Sequence, residues 1–347
     1  MPAPMRVGIL NDMSDEPSII GVDRWIRMSV ADLQAAGRLD RDVELLSASG
    51  LGLPAGTAAA AERAFQRLVD DDVLLVVGPA IGDNALALTP MVERGLVPTV
   101  NWSGAERARG ELMFHLQVGS HEDESIVIAR HLAAAGAERI GVVFDRSPIG
   151  RRHLQYLLDE ADVLGLQVAT TASVEALADD ARAEVDSVLS SAVDGLVYLG
   201  LGLSAPAVAG ALREAGWPGP RVMNTAGMRG HVEGFAPSIE GWTYIDMYAD
   251  DNATLAALHD RVGDEGWNPM VAAVGWDLGR LVAEALARAP ERTRAGVAEG
   301  LELVKWLPAA EGHEGTLLGF GVRDRGALHG RYLVRREWRD GASVQVG

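Results

Sequence analysis

Three glycine- or serine-containing turns carry the residue types that could do chemistry in this chain. Gly200-Leu-Gly202-Leu-Ser-Ala205 follows an apolar run and precedes an amphipathic one. Glycines so placed let a backbone approach a pyrophosphate at a helix start. Two features speak against a dinucleotide. The turn does not follow the first strand of its block, and the next strand ends at Asn224 with no acidic residue at its tip for a ribose. A plain tight turn is the favoured reading, and no cofactor is expected. Gly78-Pro79-Ala80-Ile81-Gly82-Asp83 also joins a strand to a helix. A small residue at Gly82 leaves backbone N–H groups of the helix start facing outward, which suits a carboxylate or another anion. The other reading is a helix capped by Asp83 with nothing bound. Asn101-Trp102-Ser103-Gly104 follows the next strand, at the end where open α/β sheets bind ligands. There Ser103 offers a hydroxyl and Trp102 an apolar cover; alternatively Trp102 packs on its own domain. His115 and His121 are the closest pair among eight histidines, with no third ligand at helix spacing, so no metal is expected. No Gly-x-Ser-x-Gly elbow occurs, and Glu122-Asp123-Glu124 reads as an acidic helix start.

The elements that must hold these turns alternate in type. Strands are expected at 6–10, 43–47, 73–77 and 97–100, and helices at 23–36, 58–69 and 83–93. The pattern then restarts, with helices at 123–135, 150–164, 181–192 and 206–215 and strands at 139–144, 167–173, 195–199 and 221–224. Strand alternating with helix implies a parallel sheet covered on both faces. Two such blocks imply two sandwiches of similar design. A strand at 242–248, helices at 252–263, 271–289 and 293–304, and strands near 317–322 and 331–338 complete the chain.

Composition narrows the function. The chain has 347 residues, long enough for two cores. Its net charge is −18, and Lys305 is its sole lysine. Nucleic acid demands a basic patch; the densest basic run here is Arg335-Arg336, flanked by Glu337. Nucleic acid and anionic membrane are therefore not expected partners. With no cysteine there is no disulfide, thiolate metal site or cysteine nucleophile. No apolar run reaches the roughly 20 residues that span a bilayer, so no direct membrane insertion is expected. The N-terminus Met1-Pro-Ala-Pro-Met-Arg shows no signal-peptide pattern. As it stands the chain reads as cytoplasmic, or as extracytoplasmic if an export signal has been removed.

In their order, several segments resemble one family. They are Val7-Gly-Ile-Leu, Gly21, Ala58–Leu68 followed by Asp72-Val-Leu-Leu-Val-Val-Gly-Pro79, and Val97-Pro98. Further on come Arg139-Ile-Gly-Val-Val-Phe-Asp145 with Gly150, Val274-Gly-Trp-Asp277 and Gly315-Thr-Leu-Leu-Gly-Phe320. The chain resembles the type I periplasmic binding proteins of the branched-chain amino acid and amide group, the substrate-binding subunits of ABC transporters. The resemblance implies two Rossmann-like lobes joined by a three-strand hinge. Lobe one would be residues 1–118 plus 248–320 and lobe two residues 119–247 plus 321–347, with a ligand cleft between them and closure on binding.

Carried over, the family's ligand contacts meet substitutions. The carboxylate-holding serine is Gly82 here, leaving backbone donors. Ser103 keeps a hydroxyl, whereas the usual threonine is Ala105. No acidic residue stands at Thr225–Gly227 to grip an ammonium. Expected tyrosines are Ile20, Ile149 and Trp276. A buried ammonium without a counter-charge is costly. The expected ligand is therefore a carboxylate or amide with an apolar or aromatic body, not a simple α-amino acid. Met13, Ser14, Asn224, Trp242 and Tyr248 are further lining candidates, because they fall at strand ends or crossings. Three functions compete: delivery of a solute to an ABC transporter permease, ligand sensing for a regulatory protein partner, and a nucleotide enzyme using the Gly200 turn. The choice between the first two stays open, the third is remote, and the chain is not read as an enzyme.

Overall fold

The computed structural model describes residues 3–13, 21–49 and 58–347. The chain begins with β1 (Met5–Leu10), α1 (Val22–Ala35), β2 (Val43–Ala48), α2 (Ala58–Asp70), β3 (Leu75–Val77), α3 (Gly82–Gly95), β4 (Thr99–Asn101) and β5 (Met113–His115). Next come α4 (Asp123–Ala134), β6 (Arg139–Asp145), α5 (Pro148–Leu164), β7 (Gln167–Val174), α6 (Arg182–Leu189), β8 (Gly195–Leu199), α7 (Ala205–Glu214), β9 (Arg221–Met223) and β10 (Thr243–Asp246). The last stretch holds α8 (Ala253–Val262), α9 (Pro269–Arg288), α10 (Arg294–Glu302), β11 (Leu307–Pro308), β12 (Leu317–Leu318), β13 (Leu328–His329), β14 (Val334–Arg339) and β15 (Ala342–Gln345).

Local chemistry sets many of the boundaries. The α5 helix starts where the Ser147 hydroxyl accepts from the Gly150 N–H and Pro148 supplies a preset φ, and it stops at Gly165, which takes the left-handed conformation. Asn252, Asn268 and Thr293 cap α8, α9 and α10 in the same way.

The chain forms two compact units, one of residues 1–118 and 247–332, the other of residues 119–246 and 333–347. The third passage between units thus falls at 332/333, not at the expected 320/321. Residues 321–332 stay with the first unit because β13 pairs antiparallel with β12, Leu317 opposite His329. The strand expected to run to Tyr248 ends at Asp246, and the chain leaves the second unit there.

Each unit has a parallel sheet of one design. In the first the order is β2-β1-β3-β4-β5. In the second, β7-β6-β8-β9-β10 repeats that order, and antiparallel β14 and β15 extend it beyond β10. Strand order reverses between β1 and β3 and again between β6 and β8, so each unit has a topological switch point. The β5 strand, which the sequence pattern does not reveal, completes the first sheet against β4.

Apolar faces explain the layering. Ala61, Ala64, Phe65 and Leu68 of α2 and Leu88 and Val92 of α3 pack with Leu10, Val76 and Met113 of the first sheet. On α9, the glycines at 275 and 279 bring α1 close. A Cβ at Gly275 would stand 2.1 Å from Trp25 Cδ1, and one at Gly279 would stand 2.5 Å from the Trp25 carbonyl oxygen. In the second unit, Tyr198, Val208, Leu212, Trp242 and Trp338 fill one side of the sheet, and Ile128, Leu132, Ile140 and Leu157 the other. No helix among the described residues is long and apolar enough to cross a membrane.

Candidate functional site

At the switch point of the first unit, Asp12 follows β1 and reaches across to the loop after β3. Its buried carboxylate accepts from the Ala80 N–H at 2.7 Å, the Ile81 N–H at 3.1 Å and the Asn84 side chain at 2.9 Å. Burial raises its pKa to about 6, against the lowering effect of those hydrogen bonds. The second unit repeats the device. Asp145 ends β6, and its carboxylate accepts from the Leu201 N–H at 2.7 Å in the loop after β8. The same side chain accepts from the Ser147 N–H at 3.2 Å and from the Ser147 hydroxyl. A Cβ at Gly200 would stand 2.2 Å from Asp145 Oδ2, so this close approach is the reason for glycine there.

These two carboxylates bear on both glycine turns. An internal carboxylate, not a phosphate, takes the Leu201 N–H. At the α3 start, Asp12 takes the donors of Ala80 and Ile81 ahead of any ligand carboxylate. Asp83 does not cap that helix. The cap position is Ile81, which makes no side-chain cap bond, and Asp83 lies within the first turn.

The loop after β4 is knit to its own unit. Ser103 donates its hydroxyl to Asn101 Oδ1 at 2.9 Å and accepts from the Ala105 N–H at 3.3 Å. Asn101 in turn donates to the Phe114 carbonyl at 2.8 Å. The Trp102 N–H donates to the Pro79 carbonyl at 3.1 Å, which ties the two loops together. Gly82, Asp83, Trp102, Ser103 and Ala105 are thus gathered at the carboxyl ends of β3 and β4. Beneath them His115 is fully buried, with Nε2 2.6 Å from the Ser103 carbonyl and Nδ1 3.1 Å from Arg109 Nε. That pattern fits a neutral ring donating from Nε2 and accepting at Nδ1. Burial, and then the Arg109 charge, lower its pKa to about 3. His121 lies in the other unit, edge-on to His153 at 4.7 Å between centroids. Among the described residues no group of three or more His, Cys, Asp or Glu side chains is placed to hold a metal.

In the second unit, Ile149 and Asn224 stand at the carboxyl ends of β6 and β9. Asn224 is committed to the neighbouring loop: its amide donates to the Gly200 carbonyl at 3.1 Å and accepts from the Gly200 N–H at 3.3 Å. Beside it, Glu124 of α4 accepts from the Thr225 N–H at 2.8 Å and the Ser120 N–H at 2.7 Å. A carboxylate does therefore stand at the Thr225 segment, contributed by α4 and engaged by backbone. Trp276 of the first unit packs in the helical layer, 6.4 Å from Trp25, with Arg261 and Arg280 over its ring at 5.6 and 5.9 Å. Trp242 precedes β10 and belongs to the core at the amino end of that strand, so it does not line the carboxyl ends. Tyr248 is buried beyond β10, bridged to Gly312, and Met13 is exposed. Ile20 and Ser14 lie outside the described residues.

Sequence reasoning gave no site role to Asp12, Asp145 or Asn101; it named Glu124 only within an acidic helix start, His115 only in a histidine pair, and Asp277 only within a family motif. The last is buried on α9 and accepts from the Ala310 and Glu311 N–H groups at 2.9 and 3.0 Å. A visible signal existed for two of the carboxylates: an Asp at or just past the end of an apolar strand, in Leu10-Asn-Asp12 and Phe144-Asp145.

Twin α/β units of one strand order, each with loops gathered at strand carboxyl ends, are the architecture of two-lobe binding proteins. The profile of the periplasmic binding protein family matches residues 4–337, and the chain belongs to that family. Its fold is similar to that of a leucine-binding protein of Thermotoga maritima, at 17% identity and a TM-score of 0.80, covering 99% of this chain and 98% of that one. It is similar to a type 1 periplasmic binding protein of Bordetella pertussis, at 16% identity and a TM-score of 0.82, covering 99% and 100%. A branched-chain amino acid transporter substrate-binding protein of Streptococcus pneumoniae, solved with isoleucine, is similar at 16% identity and a TM-score of 0.81, covering 99% of each chain. No protein of curated function matches in sequence.

Proposed function

We propose that this protein is the solute-binding component of an ABC transporter. In this reading it closes by hinge motion on a small carboxylate or amide with an apolar or aromatic body, and it has no catalytic role. The carrying observation is the twin construction: two units of one strand order between which the chain passes three times, at 118/119, 246/247 and 332/333. Only three short segments then have to change backbone angles for the units to move as bodies. The ligand class rests on the side chains at the strand ends. Ile149 stands where the resembled family has a phenol, and Glu124, the carboxylate at Thr225, already accepts backbone hydrogen bonds. An α-amino acid's ammonium would compete with those donors for its counter-charge.

The test is a thermal-shift screen of purified protein, unfolded and refolded to strip carried ligand. The panel holds α-amino acids, their deaminated carboxylates, the matching amides and nucleotides. A ligand at 100 times its Kd stabilises by about 2.7 kcal/mol, so hits among carboxylates or amides are expected to stand out. Saturable binding of leucine or valine would overturn the ligand class, and a response to nucleotides alone would overturn the solute-binding reading.

A further inference from the structure

Arg229 lies in the short 3-10 helix Thr225–His231 that follows β9. Its Nε is buried without a hydrogen-bond partner. Among the described residues no carboxylate pairs with its guanidinium, and burial pulls its pKa below the usual arginine value. Two other arginines also have a buried, unbonded Nε, but each has an acceptor elsewhere on its guanidinium. Arg325 pairs with Glu302 at 2.6 Å, and Arg41 donates to the Ala3 carbonyl at 3.4 Å. Arg229 is thus a partly desolvated cation without an anion, an arrangement that disfavours the folded chain unless something neutralises it.

Its surroundings define what that partner is. The side chain runs along the Gly200 turn, where a Cβ at Gly202 would stand 2.6 Å from Arg229 Cδ. The guanidinium carbon lies 5.6 Å from the centroid of the Phe235 ring. The Tyr198 phenol, also nearby, is bonded to Ser204 Oγ at 2.9 Å, and burial raises its pKa, so it stays neutral and leaves the positive charge uncompensated. One planar cation beside aromatic side chains matches a single negative group on an apolar body. A guanidinium presents two parallel N–H donors at the spacing of a carboxylate's oxygens. The position is also telling: on this segment, where the family resemblance calls for an acidic side chain at Thr225–Gly227, the chain carries a basic one instead.

We propose that Arg229 is the counter-charge for a ligand carboxylate, received at the carboxyl ends of β8 and β9 beside the Gly200 turn. This rests on the solute-binding reading and narrows its ligand class from carboxylate or amide to carboxylate. It also moves the anion-holding role from the α3 start, where Asp12 occupies the Ala80 and Ile81 donors, to the second unit.

The experiment uses the full chain, stripped by refolding and labelled with nitrogen-15 so that arginine Nε–H resonances are visible. The Arg229 signal is assigned by its loss in Arg229→Lys. Acetate, benzoate, the uncharged isostere benzamide and inorganic phosphate are titrated in turn. The expected result is a saturable shift of the Arg229 signal with acetate and benzoate and none with benzamide. Arg229→Gln is expected to weaken benzoate binding at least tenfold, and Arg229→Lys less. A resonance unmoved by either carboxylate overturns the proposal, as does benzoate binding to Arg229→Gln within twofold of wild type. A response to phosphate alone overturns the carboxylate assignment. The wild-type titration needs only the conservative Arg229→Lys to fold, for the assignment, and does not depend on Arg229→Gln folding. The thermal-shift screen separates the two failures: if carboxylates stabilise the protein while Arg229 stays silent, the ligand class stands and the role of Arg229 falls.

Discussion

Asp12 shows how one side chain can hold a strand end and couple folding to pH. Its pKa in the folded protein is raised to about 6 by burial, above its ordinary value of 3.8. In that interval the folded chain keeps a proton that the unfolded chain has released. The contribution to stability is therefore full below the lower value and is lost as pH rises through about 6. The difference corresponds to about 3 kcal/mol. Asp12→Asn cannot titrate, so the stability gap between wild type and the variant should shift in the variant's favour by about that amount between pH 4 and pH 7. Denaturant melts of both proteins across that range check this, and a gap that does not move with pH refutes the assignment. The sequence shows an Asp after an apolar strand but not its acceptor role, because the donors Ala80 and Ile81 arrive from 68 and 69 residues away.

At the scale of elements, the α1–α9 contact depends on glycines whose need is invisible in the helix's own pattern. Gly275 and Gly279 lie inside α9, where glycine is otherwise unfavourable. Their purpose appears only when Trp25 of α1 is placed against them. Gly275→Ala should destabilise the protein by roughly 1–3 kcal/mol through overpacking. The contrasting substitution is Gly210→Ala in α7, where a Cβ would meet nothing within 4 Å. It should stabilise by roughly 0.5–1 kcal/mol by removing backbone entropy from the unfolded chain. Thermal melts that gave both variants the same sign would contradict the packing argument. Most elements were legible from alternation and caps, since apolar spacing and Ser147-Pro148 or Asn268-Pro269 are local signals. The three-residue β5 was not, and neither were β11 and β13, because strands of two or three residues are too short for a period.

For the molecule as a whole, the proposed hinge motion predicts compaction. Small-angle scattering on stripped protein should show a smaller radius of gyration when a screening hit is added at saturation, with no change from a non-binding amino acid. An unchanged radius with proven binding would mean that the units do not close. The family and the two-unit design were readable from the chain alone, because strand–helix alternation and the order of Gly-Pro79, Asp145–Gly150 and Gly315–Phe320 are properties of sequence. So was the acidic balance of charge. Only the folded structure decided which polar groups remain for a ligand. Ser103, Asn224 and the α3 start offered themselves by type and position, yet Asn101, Gly200 and Asp12 take up their hydrogen bonds, whereas Arg229, unremarked in the sequence, has no acceptor for its Nε among the described residues. The physical reason is that a hydrogen bond is fixed by where two groups meet in space, and these partners are joined by strand order rather than by nearness in the chain.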